Sequence, residues 1–309
     1  MSAGTDLASG RPAGLSATRA LALIGLSALI FSLGGLFVRS LDRPNAWTTV
    51  FWRSVSASVT IGAYLARQTK GRVVRTLLRL GLPGLFVALA FSVSSIGMVV
   101  ALSRTSVAVV LVLFSLAPLT TALVARAVIG EVIHPVTWGA IAATIVGVAV
   151  MVWGPGTSVT LSGIVIALMI PIAFGFGVVI IRQHSHITMV PAMLAACLIN
   201  VVISFPVAQP WNVSRHDFVV LWLFGAAQLG IGLTIFAIAA PHAPAAHAAL
   251  VSMLEPVMGP IWVWVFRDEY PGIAGFIGGG FVFTALAVHT VLLAKRSPTS
   301  VALQPEPLM

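Results

Sequence analysis

The sequence predicts an all-α integral membrane protein with ten transmembrane helices arranged as a 5+5 inverted repeat. Three observations point there. Composition is the first: of 309 residues, 59% are hydrophobic and 8% are charged, against about 25% charged in a soluble domain. So little polar surface cannot cover a water-soluble particle of this size. Run length is the second. The apolar stretches approach the roughly 20 residues of a spanning helix and lack the strict alternation of a barrel strand. The third is a proline and an acidic residue that recur at one spacing in both halves of the chain.

Residues 1–19 read as a cytoplasmic tail. Arg11 and Arg19 lead into an apolar run at 20–38. That run is too long for the core of a secretory signal and has no evident cleavage site, so it reads as the first span. Spans follow at 47–66, 81–101, 106–125 and 137–154. Ser103, Arg104 and Thr105 alone mark the break between the third and fourth. Gly154-Pro155-Gly156-Thr157-Ser158 is rich in turn formers, so 155–160 is expected to link two halves, 20–154 and 161–294. The second half reads as spans 161–181, 190–208, 218–238, 245–266 and 272–294, with a second cytoplasmic tail at 295–309. Trp47, Trp52, Trp138, Trp153, Trp211 and Trp222 fall near predicted span ends, where indole favours the headgroup region.

Charge sets the expected orientation. The net charge of +9 does not signal nucleic acid, because the basic residues sit in short loops between apolar runs. With the N-terminus inside, the cytoplasmic segments hold most of the Lys and Arg, led by Arg67, Lys70, Arg72, Arg75 and Arg79. The outer segments hold Arg39, Arg43, Arg104, Arg215 and Arg267. Basic residues accumulate on the cytoplasmic side, so both termini are expected inside, in a cell inner membrane.

The chain is organised around Leu254-Glu255-Pro256, within the predicted ninth span. Ionised Glu at the bilayer centre costs roughly 2.5–3.5 kcal/mol on insertion scales, so it persists where a partner or a wet cavity receives it. Proline frees a backbone carbonyl one turn back, and such irregular backbone is tolerated where protein or a cavity covers it. An ungapped comparison of 104–131 with 242–269 puts Pro118 on Pro256, Glu131 on Glu269, Ala108 on Ala246 and Leu116 on Leu254. A weaker echo sets Phe31, Gly34 and Arg39 on Phe174, Gly177 and Arg182. Each half has an odd number of predicted spans, so the second copy enters from the opposite side. Inverted copies of this kind underlie alternating access, with substrate near the midplane between them.

These two proline–helix–acid blocks, with Gly139, Gly147 and Gly278 following, resemble the EamA-type carriers of the drug/metabolite transporter superfamily. The resemblance covers about residues 20–294, and Arg53 matches a basic position common in that family. It implies a carrier of small organic metabolites, often an exporter, with amino acids a frequent cargo. One departure is Ala117, which stands where the second block has Glu255.

The candidate substrate-binding residues are Glu255, Arg53, Asn200, Gln228 and Trp262. Arg53 offers a permanently charged fork of donors. It could bind a substrate carboxylate, pair with Glu255, or snorkel to the interface. Arg53 and Glu255 together would suit a zwitterion. Asn200 and Gln228 are uncharged polar groups at depth, suited to interhelical hydrogen bonds or to orienting a solute. Glu255 and His247 are the candidate proton carriers. Pro171 is expected to break the sixth span. Glu131, Asp268 and Glu269 read as structural, either hydrogen-bonding loop amides or pairing with Arg126 and Arg267.

No cofactor, metal or catalytic residue is expected. His242 and His247 are five apart, against the three or four of a helical metal pair, and the single cysteine, Cys197, excludes a CxxC site. Cys197 reads as a packing residue. No GxxxxGK[ST], HExxH or GxSxG motif occurs. The expected partners are a small-molecule solute and the lipid bilayer. Amino-acid export is the leading expectation. Proton-coupled uptake of a vitamin-like or nucleotide-like metabolite is the alternative, and an intramembrane lipid-modifying enzyme is the reading from another class.

Overall fold

The computed structural model describes residues 16–42, 45–130, 132–133, 135–153, 160–183, 189–239, 251–252, 254–270 and 272–296. Every regular element among them is helical. His247, His242, Glu131 and nearly all of the 155–160 linker lie outside the described residues.

α1 (Ala17–Ser32) starts at Ser16, whose side chain accepts the Arg19 N–H. The helix breaks at Leu33 and resumes as α2 (Gly34–Arg39). α3 (Ala46–Gln68) begins at Asn45, which accepts from the Trp47 and Thr48 amides. These caps satisfy donors that an α-helix leaves open at its first turn. A short helix, α4 (Val73–Leu78), precedes α5 (Gly81–Leu102). α6 (Val107–Phe114) is capped by Ser106, and the chain then bends by 41° into α7 (Ala117–Ile129). Pro118 falls in the first turn of α7, where a missing N–H removes no helical bond. α8 (Pro135–Trp153), α9 (Leu161–Gln183) and α10 (Met189–Ser204) follow. α11 (Arg215–Leu223) widens into a π-helical segment at Phe224–Gly232, then returns to α-helix in α12 (Leu233–Ala239). α13 (Leu254–Arg267) and α14 (Gly272–Arg296) complete the described chain.

Five of these stretches are long and apolar enough to cross a membrane, and the bent α6–α7 pair would make a sixth. Their outer faces expose large apolar side chains, among them Leu82, Val165, Val202 and Phe276. Water would not tolerate that surface on a monomer, whereas lipid would. The protein is therefore a multi-pass membrane protein. α3 is long enough to span but falls short in hydropathy, because it carries Arg53, Ser54, Ser56, Ser58 and Thr60. The expected ten spans thus exceed what length and composition alone support.

Pro171 does not break its helix. α9 runs unbroken from Leu161 to Gln183, with Ala167 and Ile170 fully buried around the proline. The Thr120 hydroxyl donates to the Pro171 carbonyl at 2.8 Å, tying α7 to this turn. Packing from neighbouring helices holds the turn that the missing amide would loosen. The breaks instead fall at Leu33, at Ser115–Leu116 and in the π-helical segment.

Helix packing repeats between the halves. α5 packs on α9 as α12 and the π-helical segment pack on α1, and α5 packs on α10 as the π-helical segment packs on α3. α7 meets α9 as α13 meets α1. α3 with α10, α6 with α13, and α8 with α14 each join an element to its counterpart. Exchanging the halves in chain order leaves this set of neighbours unchanged.

Val38, Leu102, Val107, Val109 to Leu113 and Val263 belong to one buried apolar cluster. Beside it Glu269 pairs with Arg39. Of the two expectations for Glu269, a bond to a backbone amide is met by the Val107 N–H, whereas its ion-pair partner is Arg39 at the end of α2 and not Arg126 or Arg267. Nearby, His216 Nδ1 lies 3.3 Å from Asp42 Oδ2 and 3.5 Å from Asp217 Oδ1, pinning the loop after α2 to the start of α11.

Candidate functional site

The three backbone irregularities surround one cavity of about 470 Å³. Much of its wall is aromatic, from Phe31, Phe91, Phe114, Phe174 and Phe236. Ala117-Pro118 of α7 and Glu255-Pro256 of α13 both line it. The two repeat blocks read from the sequence therefore meet at this space.

Arg53 enters from α3 and is 4% exposed. Its Nη1 donates to Ser95 Oγ at 3.1 Å and its Nη2 to Gln228 Oε1 at 3.0 Å. The guanidinium carbon sits 4.6 Å from the centre of the Phe224 ring, within range of a cation–π contact. Phe224 in turn stacks on Phe37 at 5.3 Å. Arg53 thus does not snorkel to the interface. Gln228 belongs to the π-helical segment, and its Nε2 donates to the Phe31 carbonyl at 2.8 Å, beside the α1–α2 break. Gly34 makes room for that amide, since a Cβ there would overlap Gln228 Nε2. Gly225 does the same for Arg53: a Cβ at 225 would overlap the Arg53 backbone carbonyl.

Glu255 lines the cavity half-buried, in the first turn of α13. Among the described residues it makes no hydrogen bond or ion pair, so the possible Arg53–Glu255 pair is not formed. Asn200 is fully buried on α10 and lines the same cavity. Its Oδ1 accepts from the Ser92 hydroxyl.

Four of the five expected binding residues, Glu255, Arg53, Asn200 and Gln228, are therefore brought together. Trp262 is not among the cavity-lining residues. Its indole N–H donates to Ser32 Oγ at 2.9 Å and its ring lies against Phe266, which makes it a contact between α1 and α13. His289 is buried and bonded to Thr137 at 3.0 Å, joining α8 to α14. Cys197, expected to pack, does so and also reaches the cavity wall. The sequence reading passed over Ser92 and Ser95. Their signal was the polar run Ser92-Val93-Ser94-Ser95 inside an otherwise apolar helix.

The EamA-like transporter family model matches residues 18–153 and 161–291. The chain belongs to the EamA-like transporter family. Two segments of this EamA-like protein match one family model, so the repeat rests on more than the proline–acid spacing. Among solved structures, a chain described as "Crystal structure of protein" shares 20% identity at a TM-score of 0.62. The match covers 92% of this chain and 100% of that one, which shows the fold. No protein of curated function matches.

Proposed function

We propose that this EamA-like protein is a secondary transporter that moves a small organic metabolite by alternating access. The carrying observation is the cavity at the meeting of the two proline blocks, which holds a buried guanidinium and a carboxylate with no partner among the described residues. An intramembrane acid that faces a cavity marks a solute or ion path by default. In this reading the two halves, 20–154 and 161–294, are five-span inverted copies joined by 155–160, giving ten spans. The exchange-invariant packing supports that arrangement.

The solute proposed is an amino acid or a related compound, exported across the inner membrane. Arg53 and Glu255 supply opposite charges for it, and the phenylalanine-rich wall receives its apolar body. Both termini are cytoplasmic in this reading. The cavity then faces the cytoplasm, because Met193 on its wall belongs to the same apolar cluster as Val73 and Leu77 of the basic 67–79 loop. Arg39 and Glu269 close the opposite, outer end. The protein acts as a carrier and not as an enzyme.

The test is to profile metabolites in cells and medium with and without the protein, then to follow the changed solute in reconstituted vesicles. A solute that moves saturably without nucleotide supports the reading. Unchanged pools with altered lipids would favour a lipid-modifying enzyme instead.

A further inference from the structure

The segment between α3 and α5 gathers cations without acids. Arg67, Lys70, Arg72, Arg75 and Arg79 are all exposed. No Asp or Glu occurs between Asp42 and Glu131, and among the described residues no carboxylate pairs with any of the five. The Arg39–Glu269 pair sits beside Leu102 at the other end of α5, about 30 Å along that helix. The segment also has a defined shape. Lys70 and Gly71 adopt left-handed backbone, at φ 50° and 82°, and the Gly71 amide closes on the Ala66 carbonyl at 2.8 Å. That turn ends α3 and leads into α4, which packs on α10 and α3. α4 presents three faces. Val73 and Leu77, four apart, pack against the buried cluster that includes Ala192 and Met193. Val74 and Leu78, also four apart, are 70% and 81% exposed. Arg72, Arg75 and Arg79 follow at spacings of three and four, which sets them together on the third face.

We propose that α4 is a docking surface for anionic phospholipid, with Arg72, Arg75 and Arg79 on the phosphate headgroups and Val74 and Leu78 in the upper acyl layer. Cations beside an exposed apolar strip are the pattern of a helix that lies in a bilayer interface. The position agrees. α5 begins at Gly81, just after α4, and is one of the stretches able to cross the membrane, so α4 stands at its headgroup end. Guanidinium forks match phosphate oxygens, and clustered basic residues next to a span attract anionic lipid. The apolar strip decides between sources of phosphate. A soluble anion has no use for Val74 and Leu78, whereas a lipid covers them. The surface is separate from the cavity and holds whatever solute the protein carries.

The test titrates the purified full-length protein, in an uncharged detergent, with phosphatidylglycerol or with phosphatidylcholine of the same acyl chains, and reads the thermal midpoint. Lipid held by α4 should raise it, because α4 packs on α3 and α10. Phosphatidylglycerol should act at about tenfold lower concentration than phosphatidylcholine. Arg72→Gln, Arg75→Gln and Arg79→Gln together should remove that preference. If this variant fails to fold, Arg75→Gln alone should weaken phosphatidylglycerol about threefold. Arg104→Gln, Arg215→Gln and Arg267→Gln together remove the same charge from exposed positions at the other end, and should keep the preference. Val74→Ser with Leu78→Ser should weaken the lipid, and inorganic phosphate should not move the midpoint. Detergent takes membrane orientation out of the readout, so equal action of the two lipids would mean that the basic residues only orient the chain, and would overturn the surface. A preference that survives loss of the α4 arginines, disappears in the control, ignores the serine changes or is reproduced by inorganic phosphate overturns it as well. No solute enters this measurement, so its failure leaves the transporter reading standing, and absent solute flux overturns that reading alone.

Discussion

Arg39 and Glu269 stand 230 positions apart, yet they form a two-point ion pair, Nε to Oε2 and Nη2 to Oε1. The guanidinium also donates to the Leu102 carbonyl at 2.8 Å and to the Thr105 carbonyl at 2.9 Å. Glu269 Oε1 accepts the Val107 amide at 3.0 Å, at the open first turn of α6. One pair thus ties the ends of α2 and α5, the start of α6 and the turn between α13 and α14. Their side chains are 27% and 25% exposed, so solvent screens part of the attraction. A double-mutant cycle with Arg39→Gln and Glu269→Gln should give a coupling of about 1 kcal/mol. Denaturant unfolding in detergent would read it. Strictly additive single effects would mean that the pair does not act as a unit.

Gly225 is where α3 and the π-helical segment touch backbone to backbone. A Cβ at this position would overlap the Arg53 carbonyl oxygen, and Ser56 Cβ lies 2.9 Å away. Neither can yield as the tip of a flexible side chain would. Gly225→Ala should therefore destabilise the protein by about 1–3 kcal/mol, as overpacking does. A matching change at Gly62, which has nothing within 4 Å, should be close to neutral. Comparison of the two midpoints checks the assignment, and equal effects would rule against close approach as the cause.

Burial rules made the cavity residues legible before any coordinates. A charged or amide side chain in an apolar helix must face protein or water, and Arg53, Glu255, Asn200 and Gln228 all line the cavity, although the sequence left Arg53 open to snorkelling. The basic loop after α3 marked a span end. Three features were not legible, each for a physical reason. Glu269 has Arg267 two residues away in sequence, and nothing local indicates that Arg39 lies closer in space. Pro171 carries a local cost that packing around α9 offsets, and a sequence does not display its neighbours. The π-helical segment differs from an α-helix by one position in its hydrogen bonding, which leaves no periodic signature across Phe224–Gly232.

Trp262 tests whether the ninth predicted span offers the solute more than Glu255. Its indole N–H is used by Ser32, whose own hydroxyl donates to the Leu29 carbonyl at 2.7 Å. Trp262→Phe keeps the aromatic contact with Phe266 and removes the one donor. The expected loss is about 0.5–1.5 kcal/mol of stability, the net value of a typical hydrogen bond. The half-saturation concentration for transport should not change. An altered half-saturation with unchanged stability would place Trp262 on the solute path instead.

Glu255→Gln asks whether the charge itself does the work. The two side chains are nearly the same size, so the change keeps the shape of the cavity wall. Among the described residues no ion pair or hydrogen bond to Glu255 is broken, and stability should stay within roughly 0.5 kcal/mol, as it does for changes that remove no packing or bond. Transport is expected to fall at least tenfold while the amount of protein in the membrane is unchanged, which is about 1.4 kcal/mol in transition-state terms. A structural role would give the opposite pattern: lower stability and lower expression, with flux per molecule preserved. Normal flux in vesicles at matched protein would remove Glu255 from the mechanism and leave the cavity to Arg53 and its partners.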